Sequence, residues 1–461
     1  MAVIATITAV LACHPARQEQ QAAARFSGAP GEVKLMTLDP GHFHAALIQK
    51  FPNAQLDSNV FVYAPNGPEV EGHLARINSY NKRDVSPTHW NTKVYRGPDF
   101  LEKMIAEKPG NVVVISGNNA QKVRYIQACI AAGLNVLADK PMAIQPADFD
   151  SLRTIFEMAS KKGVLLYDIM TERYEITSIL QKMLSQSPEL FGTLEKGTPE
   201  NPAITKESVH HFFKSVSGQP LIRPAWFFDV RQQGEGIVDV STHLADLVFW
   251  TCFPEQIIDY EQNIHILKAR RWATTMTPLQ FRQVTNVSEF PAFLQKDLQH
   301  DSLLEVYANG ETVFEVNGIV AKIAVTWNYQ APPGAGDSHF SLMRGTKATL
   351  TIRQGAAEAY RPTLYVEPAT TDGRVLTEKA LAQQLSKLAG AYPGLSYEPV
   401  GKAWKIVVPD RYHVGHETHF AQVTEKYLQY LIAGKLPAWE VPNMLAKYYL
   451  TTKAYTASRG Q

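Results

Sequence analysis

Between residues 33 and 170 short apolar runs alternate with segments of helical spacing, and this alternation constrains the fold more than any other feature of the chain. Strands are expected at 33–38, 59–63, 93–95, 112–115, 135–138 and 164–167, with helices at 44–51, 69–81, 99–107, 122–132 and 147–160. The run Val112-Val113-Val114-Ile115 is apolar at every position, as suits a strand buried on both faces of a parallel sheet. Gly133 follows the fourth helix, where a left-handed cap belongs. Parallel neighbours need right-handed crossovers, which place helices on both faces of the sheet. Residues 31–170 therefore read as a doubly wound α/β domain.

Beyond residue 170 the runs lengthen, with strands expected at 303–307, 312–317, 321–327 and 348–352. Asn309-Gly310 and Asn317-Gly318 read as hairpin turns. Helices return at 379–388, 419–431 and 443–456. Residues 171–461 are expected to form one α+β domain with an open, mostly antiparallel sheet. A length of 461 residues agrees with two or three domains at roughly 150 residues each.

Composition removes several classes of function. Hydrophobic residues are 45% and charged residues 19% of the chain, an ordinary globular balance. Lys plus Arg (45) nearly equals Asp plus Glu (44), for a net charge of +1, so no nucleic-acid partner is expected. With three cysteines and no CxxC pair, neither a disulfide scaffold nor a cysteine zinc site is expected. Cys129 and Cys252 lie in apolar helical surroundings and read as buried thiols.

Residues 1–30 read as a leader and tether. Residues 2–12 are uncharged and mostly apolar, small residues precede Cys13, and the stretch that follows is rich in Gln and Ala. This resembles a bacterial lipobox, with Cys13 as the lipidated residue and the cell envelope as the location. No Lys or Arg precedes the run, and the alternative is a cytoplasmic protein with a free thiol at its N-terminus.

The first strand leads into Asp39-Pro40-Gly41-His42-Phe43-His44. A dinucleotide fold places GxGxxG here, so that backbone N–H groups meet a pyrophosphate at a helix N-terminus. In that frame Asp39 takes the first glycine position, Gly41 the second and His44 the third. The acidic ribose clamp is due near Ala64 and Pro65, and neither is acidic. Two readings fit. Either the loop still cradles a dinucleotide through Gly41 and backbone amides, with His42 or His44 near phosphate, or the fold persists while the cofactor has been lost or changed.

Three later segments carry a family resemblance. The first runs from Val112 through Ser116-Gly117-Asn118-Asn119 to Ala138-Asp139-Lys140-Pro141. The second is Gly234-Glu235-Gly236-Ile237-Val238-Asp239-Val240-Ser241-Thr242-His243, followed by Asp246, and the third is Arg344-Gly345-Thr346-Lys347-Ala348-Thr349-Leu350. In this order they resemble the glucose–fructose oxidoreductase/inositol dehydrogenase/MocA-like family. Asp139 stands where that family has Glu in its Glu-Lys-Pro motif, and Gly117 stands where it has Pro. The opening loop and the late Gly415-His416-Glu417-Thr418-His419-Phe420 resemble a divergent, envelope-associated subgroup from Bacteroidetes-type bacteria.

The resemblance implies a Rossmann-like first domain, NAD or NADP as cofactor, and hydride transfer between nicotinamide and a secondary alcohol carbon of a sugar or cyclitol. It implies His243 as the base in oxidation, Asp239 as a substrate and tuning group, and Lys140 as the group polarising the reacting oxygen. Such a hydroxyl must lose its proton as hydride leaves, so a base and a nearby donor are required. Asp239, His243 and Asp246 follow helical spacing and would share one face, although Asp–His pairs of this kind also arise as plain polar contacts. Cofactor contacts are expected from Asp39, Gly41, His42, His44, Ser116, Asn118, Asn119 and Lys140. Substrate contacts are expected from Arg173, Tyr174, His210, Arg223 and Trp226, with Trp327 and His339 weaker. Homo-oligomers are common in the family.

His413, His416, Glu417 and His419 do not have the spacing of a zinc hydrolase, and no metal is expected there; capping and packing account for them. Two alternatives to net oxidation stay open. One is a glycosidase that oxidises, eliminates and reduces with a retained nicotinamide. The other is a cofactor-free envelope lipoprotein that binds glycans.

Overall fold

The structure, a computed structural model, describes residues 26–216, 219–300 and 302–460. Cys13 and the expected lipobox lie outside the described residues. Among the described residues no helix is long and apolar enough to cross a membrane.

The front lobe is a six-stranded parallel sheet of β1 (Leu35–Leu38), β2 (Asn59–Ala64), β3 (Asn91–Arg96), β4 (Val112–Ile115), β5 (Asn135–Asp139) and β6 (Leu166–Ile169), in the order β3-β2-β1-β4-β5-β6. Every residue of β1, β4 and β6 is buried, which explains the unbroken apolar run of β4; β1 and β6 each bury one polar residue as well, Thr37 and Asp168. The order reverses between β1 and β4, so the crevice outside their carboxyl ends is where a doubly wound sheet binds ligands. His42 and His44 follow β1, Gly117–Asn119 follow β4, and Asp139-Lys140 close β5. The helix after β1 covers only His44–Leu47, shorter than the sequence suggests.

The rear lobe is built on a ten-stranded sheet. Strand β7 (Ile204–Phe213) lies inside it, parallel to Ile319–Gln330 on one side and antiparallel to Ser338–Arg344 on the other. Helices Ile176–Ser185 and Ser241–Cys252 bury Leu180, Leu184, Leu244 and Val248 in the core formed with this sheet. Asn317-Gly318 is a hairpin turn, with both φ angles positive.

Asn309-Gly310 is not a turn. It lies within one continuous strand, Leu303–Val316. A Cβ at Gly310 would stand 2.7 Å from the Ile237 Cβ, and one at Gly236 would stand 1.8 Å from the Ala308 carbonyl oxygen. The glycines permit two backbones to touch. That contact fixes the segment carrying Asp239 against the rear sheet.

Helix His416–Ala433 returns to the front lobe, where Phe420, Val423, Tyr427 and Leu431 complete the core. The lobes are also joined by buried charge. Arg173 donates to both carboxylate oxygens of Asp246 at 2.6 Å and to Glu440 at 2.8 Å, and Lys447 reaches Asp246 and Asp168 at 2.8 Å each. This corrects two expectations. Asp246 does not share the site with Asp239 and His243, and Arg173 is not in the cleft but serves this structural network.

Candidate active site

The lobes enclose a cleft of about 570 Å³. Its front wall holds His42, Phe43, His44, Gly117, Asn119, Asp139 and Lys140, and its rear wall holds His210, Arg223, Asp239, His243, Trp327, Asp337 and His339.

Lys140 Nζ lies 2.5 Å from Asp239 Oδ1, with the two side chains only 11% and 6% exposed. Asp239 lies in the turn between Gly236 and Val240, just before helix Ser241–Cys252, rather than within a helix. Gln233 Nε2 donates to its second oxygen at 3.0 Å. His243 enters the same cleft from the first turn of that helix. Its Nδ1 is buried without a hydrogen-bond partner. Burial, reinforced by Lys140, holds its proton affinity well below the usual histidine range, so the ring is neutral.

Opposite stands a second polar group. His211 Nδ1 and Lys214 Nζ lie 2.9 Å and 2.6 Å from the two oxygens of Asp337. Burial opposes ionisation of Asp337, but His210 and Lys214 hold its carboxyl well below the usual range. The His210 ring stacks on Trp327 at 5.0 Å between centroids. Arg223, 5% exposed, lies over Phe227 and Trp327. Burial pushes its guanidinium down to about 10. His339 Nε2 is a further buried atom without a partner. Aromatic walls with a few convergent polar groups are the usual dress of a site for a small polar ligand.

Several expected residues take other places. The carboxylate of Asp39 accepts from Tyr125 at 2.9 Å. Ser116 Oγ donates to Asp139 at 2.9 Å. Asn118 caps the helix after β4 through Ala120 N and donates to Gln232 Oε1. Asn119 lines the cleft while donating to the Gln233 carbonyl. Trp226 packs against Gly41 rather than facing the cleft, with its Cζ2 3.1 Å from where a Cβ would stand. Tyr174 packs against the front core.

Lys214, Gln233 and Asp337 had no motif to mark them. Asp337 follows a loop of Pro and Gly, and only the pairing of Ser338–Arg344 with β7 carries it to the cleft. His416 and Glu417 do line the cleft, but among the described residues the grouping whose ligand atoms converge lies elsewhere, at His42, His44 and Asp139.

Residues 40–168 match the model described as "Oxidoreductase family, NAD-binding Rossmann fold". Residues 180–459 match "Putative oxidoreductase C terminal domain". A crystal structure described as a putative oxidoreductase from Parabacteroides merdae is 53% identical, with a TM-score of 0.93, over 95% of this chain and 100% of that one. The chain belongs to the Gfo/Idh/MocA-type oxidoreductases. More distant members of the fold include a levoglucosan dehydrogenase in complex with NADH and levoglucosan (12% identity, TM-score 0.57, 93% and 97% covered). Another is a 3-ketoreductase from Actinomadura kijaniata in complex with NADP (11%, 0.56, 92% and 97%). At such identities these show the fold alone. No curated protein matches the chain.

The family's dinucleotide fits this site at one end. Phe43, Gly117, Asn119 and Lys140 form an open wall, and the two unpartnered imidazole nitrogens call for a polar ligand. The first loop is different. Gly41 N–H donates to the Asp39 carbonyl and His42 N–H to the Ser116 carbonyl, so neither amide is free to cradle a pyrophosphate.

Proposed function

We propose that this oxidoreductase transfers hydride between NAD(P) and a secondary alcohol carbon of a sugar or cyclitol. The observation that carries the reading is the meeting of Lys140 from the front wall with Asp239 from the rear wall at 2.5 Å, beside a neutral His243 that lines the same cleft. When bound, the nicotinamide supplies the hydride acceptor or donor. Phe43, Gly117, Asn119 and Lys140 would hold that end of the cofactor.

His243 takes the hydroxyl proton in oxidation and returns it in reduction. Lys140 donates a hydrogen bond to the developing oxyanion, and Asp239 keeps the ammonium aimed into the cleft. Trp327 and His210 offer a flat surface to a sugar ring, and Arg223 and Asp337 bracket it with opposite charges.

Redox-assisted glycoside cleavage is a second reading, favoured by Glu172. This residue lines the cleft, and burial raises its carboxyl above the usual range. A carboxyl with raised proton affinity is better suited than an ordinary one to protonating a leaving alcohol. For the location we propose attachment to the cell envelope through Cys13. Mass spectrometry of the mature N-terminal peptide checks this: a lipid-modified Cys13 supports it, and an unmodified, uncleaved N-terminus rejects it.

The functional reading is tested by incubating the purified protein with NAD+ or NADP+ and a panel of sugars, cyclitols and glycosides. Reduced nicotinamide with at least one free sugar or cyclitol supports net oxidation. Free sugar released from a glycoside without reduced nicotinamide selects the second reading. No bound or reacting nicotinamide rejects both.

A further inference from the structure

The loop after β1 and the end of β5 bring two imidazoles and a carboxylate to one point. His44 Nδ1 lies 3.0 Å and His42 Nδ1 3.8 Å from the same oxygen, Asp139 Oδ2. The three ligand atoms all lie within 4.8 Å of one another. A transition metal about 2.1 Å from each of three N or O ligands separates them by roughly 3.0–3.4 Å, depending on octahedral or tetrahedral geometry. The 3.0 Å separation lies in that range, and the 3.8 Å separation requires the His42 ring to move closer.

We propose that His42, His44 and Asp139 form a site for a divalent transition metal, with its open positions facing the cleft. Two imidazoles and one carboxylate suit Zn2+, Co2+, Mn2+ or Fe2+ better than Ca2+ or Mg2+, which favour all-oxygen shells. All three residues line the cleft, with side chains 18%, 11% and 6% exposed.

The surroundings are those of supported ligands. Ser116 Oγ donates to Asp139 Oδ2 at 2.9 Å, orienting the carboxylate as outer hydrogen bonds do in metal sites. Lys122, which would otherwise compete for the carboxylate, is bound to the backbone carbonyl of Asp139 at 2.8 Å and to Asn119 at 2.6 Å. Coordination takes each imidazole as its neutral ring. The single proton of His44 moves to Nε2 when Nδ1 coordinates, so binding needs no net proton release from that ring. A cation here would offer its open positions to the oxygens of a cleft ligand, such as the neighbouring hydroxyls of a sugar. That role rests on the proposed function; metal binding itself does not.

The test uses the full chain stripped with EDTA and no sugar. Co2+ is titrated in and followed by visible d–d absorption, and Zn2+ is then added to displace it. The expected result is one equivalent of Co2+ bound with micromolar or tighter affinity and displaced by Zn2+. Affinity should fall at least about 100-fold in His44→Gln and Asp139→Asn. His42→Gln, whose ring is the more loosely held, is the variant to use if those two fail to fold, and Zn2+ should raise the melting temperature of wild type but not of His42→Gln. Absence of Co2+ binding at 100 µM-scale concentrations (roughly the weak limit of a built site), or binding unchanged by these substitutions, overturns the proposal. Metal binding without sugar turnover would leave the site standing and reject the function, and turnover without metal would do the reverse.

Discussion

Lys140 and Asp239 come from different lobes, one beside the last residue of β5 and the other in the turn held by Gly236, and their charged atoms meet at 2.5 Å. The pair joins the lobes at the cleft and places an ammonium group beside the imidazole of His243. If this is the reacting centre, Lys140→Ala and His243→Ala each lower kcat by about 10²–10⁴-fold with an unchanged circular dichroism spectrum. Lys140→Arg recovers little, because a planar fork does not replace a point donor. Turnover of both alanine variants at the wild-type rate on a true substrate rules the assignment out.

The buried histidines make stability depend on pH in a fixed direction. Burial holds His339 at about 3 and His73 and His419 at about 4, while in an unfolded chain each titrates near 6.5. Between those values the unfolded state binds more protons. Their contribution is therefore complete above about pH 6.5 and is lost as pH falls toward 4 and 3. Thermal melts across pH 8 to 4 should show a falling midpoint that begins near 6.5, and a flat profile down to pH 4 would contradict this.

How much of this was legible in the sequence differs between the lobes. In the front lobe the central strands are buried on both faces, so Val112–Ile115 declares itself through an apolar run, whereas the edge strand Asn91–Arg96 is largely exposed and carries none. The rear lobe misled at Asn309-Gly310, because a glycine required by the backbone of Ile237 looks the same in sequence as one required by a turn. Lys140, Asp239 and His243 were legible through motif order. Asp337 and Lys214 were not, since neighbouring strands of the sheet bring them together across a long stretch of chain. Arg173 and Trp226 were read as substrate contacts because a buried ion pair and a glycine cover have the same composition as a binding wall.

The network of Arg173, Asp246, Glu440 and Lys447 should act on stability rather than turnover. Asp246 is 3% exposed and Lys447 fully buried. Removing the carboxylate in Asp246→Ala takes away the partner that Arg173 and Lys447 share and leaves one buried carboxylate to each, Glu440 and Asp168, which costs about 3–5 kcal/mol. Urea unfolding at neutral pH measures this, and a loss below about 1 kcal/mol would mean that water reaches the network.

Gly236→Ala should be among the most damaging small substitutions. Its Cβ would stand 1.8 Å from the Ala308 carbonyl oxygen, so the turn carrying Asp239 must shift. A loss of about 1–3 kcal/mol or more is expected, with kcat falling more than KM rises. Gly133→Ala leaves open space around the new methyl, although its φ of +78° adds strain, and turnover should be unchanged.

The proposed role of the cleft is to oxidise or reduce a sugar-like alcohol with Lys140 and His243 as its working groups. It is tested most directly by following reduced nicotinamide absorbance over a sugar and cyclitol panel with wild type, Lys140→Ala and His243→Ala in parallel. Wild type should give a signal with at least one substrate, and both variants should lose at least about 10²-fold of it. A wild-type protein that binds neither NAD nor NADP, or variants that match it, would contradict the account.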